Sequence, residues 1–175
     1  MMKDIVKPIA VLASICLVVT ALLAFINSVT APIIKAADEA AAAKARQEVL
    51  AEADEFELLE MELPEGVTEA YKAENGSGYV FMLTTKGYGG AINLICGIKS
   101  DGSIESVQTL NHSETSGIGS RVVDNNSPYR QQYVGKTADD YDTVDAVTGA
   151  TISSKAYKKA IDAAFEAYDM VKEAD

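Results

Sequence analysis

The chain contains 175 residues, of which 48% are hydrophobic and 23% are charged, and its formal net charge is -11. This length fits one modest globular domain with an additional apolar segment, and it excludes two full domains. The negative charge disfavours nucleic acid as a partner, because binding to phosphates needs a clustered excess of Lys and Arg.

The sequence offers few metal ligands. It has one histidine, His112, and two cysteines, Cys16 and Cys96, without a C-x-x-C motif. The chain alone therefore cannot assemble a zinc site, a covalently attached c-type haem or a four-cysteine iron–sulfur cluster. Cys16 falls in an apolar run and Cys96 in a strand-like segment, so we expect no disulfide between them. Any redox chemistry would need an organic cofactor.

An apolar segment lies near the N-terminus. The 18 residues from Ile9 to Ile26 carry no charge and would form roughly 27 Å of helix, close to the roughly 30 Å hydrocarbon core of a bilayer. The pattern favours a retained transmembrane anchor over a cleaved signal peptide, because the run exceeds the usual signal core of about 7–15 residues. Positive charges are nearly balanced on the two sides, with Lys3, Lys7 and the amino terminus on one side and Lys35, Lys44 and Arg46 on the other, so charge does not settle the orientation.

A helix and then strands are predicted after the anchor. Residues 36–55 are rich in Ala, Glu, Lys and Arg, which predicts a helical stalk or the first helix of the domain. From Tyr79 onward, the segments GYVFMLTTKG, GAINLICGIK and SIESVQTLNH are typical of three strands, with Asp101 and Gly102 in the turn between the last two. We expect these strands to form an antiparallel meander.

Two helices are predicted after the strands. Ser127 and Pro128 are typical of an N-cap and a first helical position, so a short helix should begin there. A longer helix is predicted from about Ser153 to Lys172, because six residues form one apolar face: Tyr157, Ile161, Ala164, Phe165, Tyr168 and Val171. The expected fold class is α+β, with one N-terminal transmembrane helix followed by a single domain that has an antiparallel sheet and flanking helices.

A hydroxyl-rich segment precedes the last helix. Thr148, Thr151, Ser153 and Ser154 lie within seven residues, and Gly149 allows a tight turn among them. Backbone N–H groups at a helix start lack partners and favour an anion. The segment therefore predicts either a phosphate-binding site or an ordinary capped helix.

Two glycine-containing segments adjoin the predicted strands. The first, KGYGGAI, precedes a strand and contains Gly87, Tyr88, Gly89 and Gly90. The second, NHSETSGIG, follows a strand and contains Glu114, Thr115, Gly117 and Ile118. Neither matches the G-x-G-x-x-G motif of dinucleotide-binding folds, and each taken alone is typical of a turn.

Together, the three segments resemble the covalent FMN-binding domains of the G subunit of the Rnf complex and of the C subunit of the sodium-pumping NADH:quinone reductase. The matching motifs, in the order of the family, are Gly87-Tyr88-Gly89-Gly90, His112 with Glu114-Thr115-Ser116-Gly117-Ile118-Gly119, and Asp145-Ala146-Val147-Thr148-Gly149-Ala150-Thr151. The single N-terminal anchor is also similar. The brevity of the chain favours the Rnf protein over its counterpart in the quinone reductase.

The resemblance implies that a separate flavin transferase, with FAD as donor, esterifies FMN through its phosphate to the hydroxyl of Thr151. Asp145 belongs to the flavinylation signature, and Thr115 and Ile118 would contact the flavin ring. Ser116 stands where the family usually has proline, and Ile118 where it has leucine. The full set of residues expected to bind the cofactor is Gly87, Tyr88, Gly89, Gly90, Glu114, Thr115, Gly117, Ile118, Thr148, Gly149, Ala150, Ser153 and Ser154.

The implied function is electron transfer within a membrane-bound, ion-translocating ferredoxin:NAD oxidoreductase, with other membrane subunits as partners. Residues 1–34 would form a cytoplasmic tip and membrane anchor, 35–55 a helical stalk, and 56–175 an FMN-binding domain outside the cytoplasm, at the cell (inner) membrane. The alternatives are a stand-alone, membrane-anchored flavin carrier and a membrane-tethered binding module. We expect no nucleic acid, no metal and no catalytic residue, and a structural role for His112.

Overall fold

The computed structural model describes residues 2–174, and the chain divides into two compact units between Ala41 and Ala42. The first helix, α1, spans Met2–Val49. Its apolar part reaches a mean hydropathy of 2.9, and α1 is the one helix among the described residues that is long and apolar enough to cross a membrane. Side chains such as Leu17 and Phe25 are exposed along it. The helix thus has the length and composition of the predicted anchor.

Five strands form one antiparallel sheet in the order β1-β2-β3-β4-β5. The strands are β1 (Phe56–Leu58), β2 (Val67–Ala73), β3 (Gly78–Lys86), β4 (Ala91–Lys99) and β5 (Ile104–His112). The predicted three-stranded meander is confirmed as β3 to β5, with Cys96 opposite Phe81 on one side and Val107 on the other. Strands β1 and β2 extend the sheet beyond what the sequence predicts.

Helices follow the sheet. They are α2 (Ser120–Val123), α3 (Pro128–Gln131), a 3-10 helix (Tyr141–Thr143) and α4 (Thr151–Ala174). Ser127 caps α3 as predicted, because its Oγ accepts a hydrogen bond from the backbone N–H of Tyr129 at 3.2 Å. Helix α4 begins at Thr151 rather than at the predicted Ser153, since its first helical hydrogen bond already runs from Ser154 N to the carbonyl of Ala150.

Hydrophobic residues pack on both faces of the sheet. Phe81 faces α4, whereas its neighbour Val80 points to the opposite face, as alternation along a strand requires. On the first face, α4 buries all six residues of its predicted apolar side: Tyr157, Ile161, Ala164, Phe165, Tyr168 and Val171. On the second face, the end of α1 and the turn after it bury Ala45, Val49, Leu50 and Ala53. The sheet is therefore the middle layer of the unit that starts at Ala42.

Candidate functional site

The loop before β4 is a tight, glycine-rich turn. The backbone N–H of Gly87 donates to the carbonyl of Gly90 at 2.8 Å, which closes the turn. Tyr88, between the glycines, leaves 72% of its surface exposed. A side chain on Gly89 would place its Cβ 2.2 Å from the backbone oxygen of Ser113. The loop before β4 and the loop after β5 therefore touch through their backbones.

The loop after β5 is organised around Glu114, which is 8% exposed. The ring of His112 stabilises the start of this loop, because its Nδ1 accepts a hydrogen bond from the backbone N–H of Glu114 at 3.2 Å. Farther along, the carbonyl of Thr115 accepts from the backbone N–H groups of Ile118 at 3.3 Å and of Ser120 at 3.2 Å. This curled backbone leaves the Ile118 side chain 53% exposed.

A turn at Gly149 leads into the first turn of α4. The N–H of Ala150 donates to the carbonyl of Val147 at 2.9 Å, and Gly149 has φ of +84°, a conformation that favours glycine. Ser154 Oγ stabilises this turn, since it accepts from Val147 N–H at 3.0 Å and donates to the carbonyl of Ala150 at 3.0 Å. The turn therefore holds the start of α4 in one position.

A pair of buried tyrosines, Tyr129 and Tyr133, is hydrogen-bonded to the first turn of α4 through Tyr129. The hydroxyl of Tyr129 donates to the carbonyl of Ser154 at 3.2 Å, and it lies 2.9 Å from the hydroxyl of Tyr133. Burial raises the pKa of Tyr129 above its ordinary value, so this phenol stays protonated and can donate. The hydroxyls of Thr148 and Thr151, by contrast, belong to exposed residues.

The three segments meet at one cavity of about 680 Å³. Its lining residues are Tyr88, Glu114, Thr115, Ile118, Gly119, Gly149, Ala150, Thr151, Ile152 and Ser153. The pairing of Ile92 with His112 brings the loop before β4 and the loop after β5 to the same end of the sheet. The start of α4 completes the wall. This volume lies within the range of about 300–1,000 Å³ typical of small-molecule sites.

Some of the predicted site residues line the cavity and the others do not. Eight of them line the cavity: Tyr88, Glu114, Thr115, Ile118, Gly149, Ala150, Thr151 and Ser153. The others do not line it: Gly87, Gly89, Gly90, Gly117, Asp145, Thr148 and Ser154. Two lining residues, Gly119 and Ile152, are absent from the predicted set. Gly119 is the last residue of the second glycine segment. Ile152 is an apolar residue outside the buried face of α4, and this exposure of an apolar side chain could have identified it as a site residue.

One end of this cavity is suited to an anion. The backbone N–H groups of Thr151, Ile152 and Ser153, in the first turn of α4, have no acceptor among the described residues. The positive end of the helix dipole lies at the same place. The other walls carry apolar side chains, among them Tyr88 and Ile118. The donor set and the size of the cavity fit a phosphorylated planar molecule such as FMN.

Comparison with known proteins agrees with this geometry. Residues 87–166 match the family described as FMN-binding domain, and residues 1–49 match the family described as RnfG N-terminal region. The G subunit of an ion-translocating oxidoreductase complex from Methanosarcina acetivorans is 33% identical over 184 residues, which cover 97% of this chain and 95% of the relative. The chain belongs to this family of G subunits. All ten lining residues fall within the FMN-binding match.

Two further relatives carry more specific descriptions. The G subunit of a Na(+)-translocating ferredoxin:NAD(+) oxidoreductase complex from Acetobacterium woodii is 29% identical over 194 residues, covering 95% of this chain and 92% of the relative. The G subunit of a proton-translocating ferredoxin:NAD(+) oxidoreductase complex from Clostridium ljungdahlii is 34% identical over 113 residues, covering 58% of this chain and 60% of the relative. The resemblance to Rnf G subunits that the motifs indicated is confirmed.

Proposed function

We propose that this chain carries FMN in the cavity, joined through its phosphate to the hydroxyl of Thr151, and that it relays electrons within a membrane-bound ferredoxin:NAD oxidoreductase complex. When bound, FMN supplies the ability to accept and pass on electrons. The observation that carries the proposal is the position of Thr151. It is an exposed hydroxyl at the start of α4, on the wall of a cavity that the FMN-binding match contains.

Burial separates Thr151 from the neighbouring hydroxyls. Ser153 and Ser154 are 2% and 1% exposed. Ser153 Oγ donates to Glu114 Oε2 at 2.9 Å, and Ser154 Oγ forms hydrogen bonds with the backbone of the turn before α4. Thr148 is exposed but does not line the cavity. These contacts favour Thr151 as the acceptor.

The start of α4 would hold the phosphate after attachment. A phosphodiester keeps one negative charge, and the free N–H groups of Ile152 and Ser153 lie beside the acceptor residue. Charge at a helix N-terminus is stabilised by about 0.3–1 kcal/mol, and more when it is partly buried. Attachment would form a bond between Thr151 Oγ and the FMN phosphorus as the hydroxyl loses its proton, and would break the pyrophosphate bond of FAD so that AMP leaves with that proton. A flavin transferase would catalyse this step.

The apolar part of the cavity would hold the flavin ring. Thr115 and Ile118 lie on one wall, and Tyr88 lies on the loop that touches it. Apolar side chains exclude water from a planar ring, and a few polar groups fix its orientation. We therefore assign Thr115, Ile118 and Tyr88 to the ring and the first turn of α4 to the phosphate.

The relatives and α1 support the proposed membrane partners. Related G subunits from Acetobacterium woodii and Clostridium ljungdahlii are named as parts of ferredoxin:NAD(+) oxidoreductase complexes that translocate ions. An apolar α1 supports anchoring of this chain beside other membrane subunits. We place the FMN-binding domain outside the cytoplasm, with flavin transferase as a transient partner.

The acceptor is tested by mass spectrometry on the full chain, after co-expression with a flavin transferase. Wild type and Thr148→Ser should gain the mass of FMN less one water, and in-gel flavin fluorescence should persist after denaturation. Thr151→Ala should lose both signals while keeping its fold, because an exposed cap-region change costs about 1 kcal/mol. If Thr151→Ala still carries the added mass, or if the modified peptide places it on Ser153, the assignment is wrong.

Membership in a complex and orientation need separate measurements. Native purification should recover the chain with multi-spanning membrane subunits, whereas a stand-alone carrier would purify without them. Protease added to the outside of spheroplasts should cleave within the FMN-binding domain. Protection of that domain until the membrane is opened would contradict the proposed side.

A further inference from the structure

One buried carboxylate lies on the wall of the cavity. Among the side chains that the structure describes, Glu114 is the one acidic residue that is buried. The other buried polar residues are Thr109, Ser127, Ser153 and Ser154. Acidic side chains are seldom buried unless a partner compensates their charge. Glu114 forms no ion pair with any described Lys, Arg or His side chain. The burial of this carboxylate therefore calls for a functional reason.

The carboxylate of Glu114 joins the three segments of the site. Oε2 accepts a hydrogen bond from Ser153 Oγ at 2.9 Å, in the first turn of α4. Oε1 lies 3.4 Å from the backbone N–H of Gly89, in the loop before β4. Glu114 itself belongs to the loop after β5. One side chain thus contacts all the elements that form the cavity.

Glycines make room for this carboxylate. A Cβ on Gly87 would lie 1.8 Å from Oε1, and a Cβ on Gly119 would lie 2.3 Å from Oε2. Both residues lack a positive φ, so the space for Glu114, rather than backbone conformation, requires glycine at these positions. The two glycine loops enclose the charged group at a fixed place beside the cavity.

We propose that Glu114 is a positioning residue that lowers the reduction potential of the flavin. Its carboxylate ties the two glycine loops to α4 and lies on the wall of the cavity. The inference rests on the proposed function, because it requires FMN in that cavity. Reduction adds electrons to the flavin, and a nearby negative charge with little solvent around it disfavours that gain.

The test compares three variants of the full chain, each flavinylated by co-expression and titrated for its midpoint potential. Glu114→Gln removes the charge and keeps the size, so the potential should rise, with a change on the order of tenfold in the equilibrium constant for reduction. Ser153→Ala removes the hydrogen bond but keeps the charge, so its potential should stay at or below that of wild type. Glu65→Gln, at an exposed position away from the cavity, is the matched control and should leave the potential unchanged.

Three results would overturn the proposal. They are an unchanged potential in Glu114→Gln, a rise in Ser153→Ala as large as that in Glu114→Gln, and an equal rise in Glu65→Gln. If Glu114→Gln does not fold, an infrared difference spectrum of wild type on reduction gives an independent answer. It should contain the band of a buried carboxylate that responds to the flavin, and a spectrum without that band would contradict the role.

Two measurements separate the role of Glu114 from the attachment of FMN. Intact mass after denaturation reports whether FMN is covalently attached, the modified peptide reports whether it is attached at Thr151, and potentials are compared among flavinylated samples alone. A wild type that gains no flavin mass refutes the proposed function. A flavinylated Glu114→Gln with the potential of wild type refutes the role of Glu114 and leaves the FMN assignment intact.

Discussion

The contact between the loop before β4 and the loop after β5 predicts that Gly89→Ala damages the site. The new Cβ would lie 2.2 Å from Ser113 O and 3.0 Å from Glu114 Cα, both backbone atoms that cannot rotate away. Gly89 has no positive φ, so alanine is compatible with its backbone conformation, and the effect of the substitution is steric. To relieve the overlap, the two loops would need to separate by about 1 Å.

The structure sets the size of the effect. Overpacking of this kind costs about 1–3 kcal/mol. For a domain of this length, that corresponds to a fall in Tm of about 3–15 °C. Because the separated loops form part of the cavity wall, the absorption spectrum of the bound flavin should shift as well.

The assay is thermal unfolding of the full chain in detergent, together with the flavin spectrum. Gly76→Ala serves as control, since Gly76 has φ of +73° and no atom within 4 Å of a new Cβ. Its strain of about 1 kcal/mol arises in the turn between β2 and β3, away from the cavity, so stability should fall without a change in the flavin spectrum. If Gly89→Ala keeps both the Tm and the spectrum of wild type, the reasoning about loop contact is wrong.

Other positions give further predictions. Ile118→Asp should shift the flavin spectrum while the covalent mass remains, because Ile118 lines the cavity from a different segment than Thr151, the proposed acceptor; an unchanged spectrum would place the ring elsewhere. Ile161→Ala should lose about 2–5 kcal/mol in denaturant unfolding, since Ile161 is fully buried, whereas exposed Lys155→Ala should stay within about 0.5 kcal/mol. Burial raises the pKa of Cys96 above its ordinary value of 9.0 and that of Tyr157 above 10.0, so both are protonated in the fold and ionise more readily when unfolded. The free energy of unfolding should therefore fall as pH rises above about 9, and thermal melts between pH 8 and 11 that show no such fall would contradict it.

Periodicity explains which parts of the fold could be predicted. The apolar side of α4 repeats over many turns, and β3 to β5 are long, apolar strands joined by short turns, so each carries a strong local signal. Strand β1 has three residues, and β2 has a register shift between Val67 and Glu69 that breaks its alternation. Strand β2 is defined by pairing with β3, and β1 by pairing with β2, and a single sequence does not display these tertiary contacts.

The sequence predicts which segments form the candidate site, but it does not predict the contacts between them. An antiparallel meander already places the end of β5 beside the start of β4, so the meeting of two glycine segments follows from the predicted topology. The position of α4 depends on tertiary contacts such as that between Tyr129 and Ser154. The burial of Glu114 runs against the usual preference of acidic residues for solvent, and it becomes visible when the positions of Gly87 and Gly119 are known.

The proposed choice of Thr151 among the hydroxyls rests on the side of α4 on which each side chain lies. Residues four apart lie on the same side of a helix, so Ser153 shares the buried side with Tyr157, whereas Thr151 shares the exposed side with Lys155. A helix predicted to start at Ser153 hides this relation, because Thr151 then lies outside the periodic segment. Because α4 begins at Thr151 in the structure, the helical period places Ser153 on the buried side and Thr151 on the exposed side. In the proposed attachment, an enzyme would reach its acceptor from solvent, so the period of the helix, rather than the chemistry of the hydroxyls, supports Thr151 as the proposed acceptor.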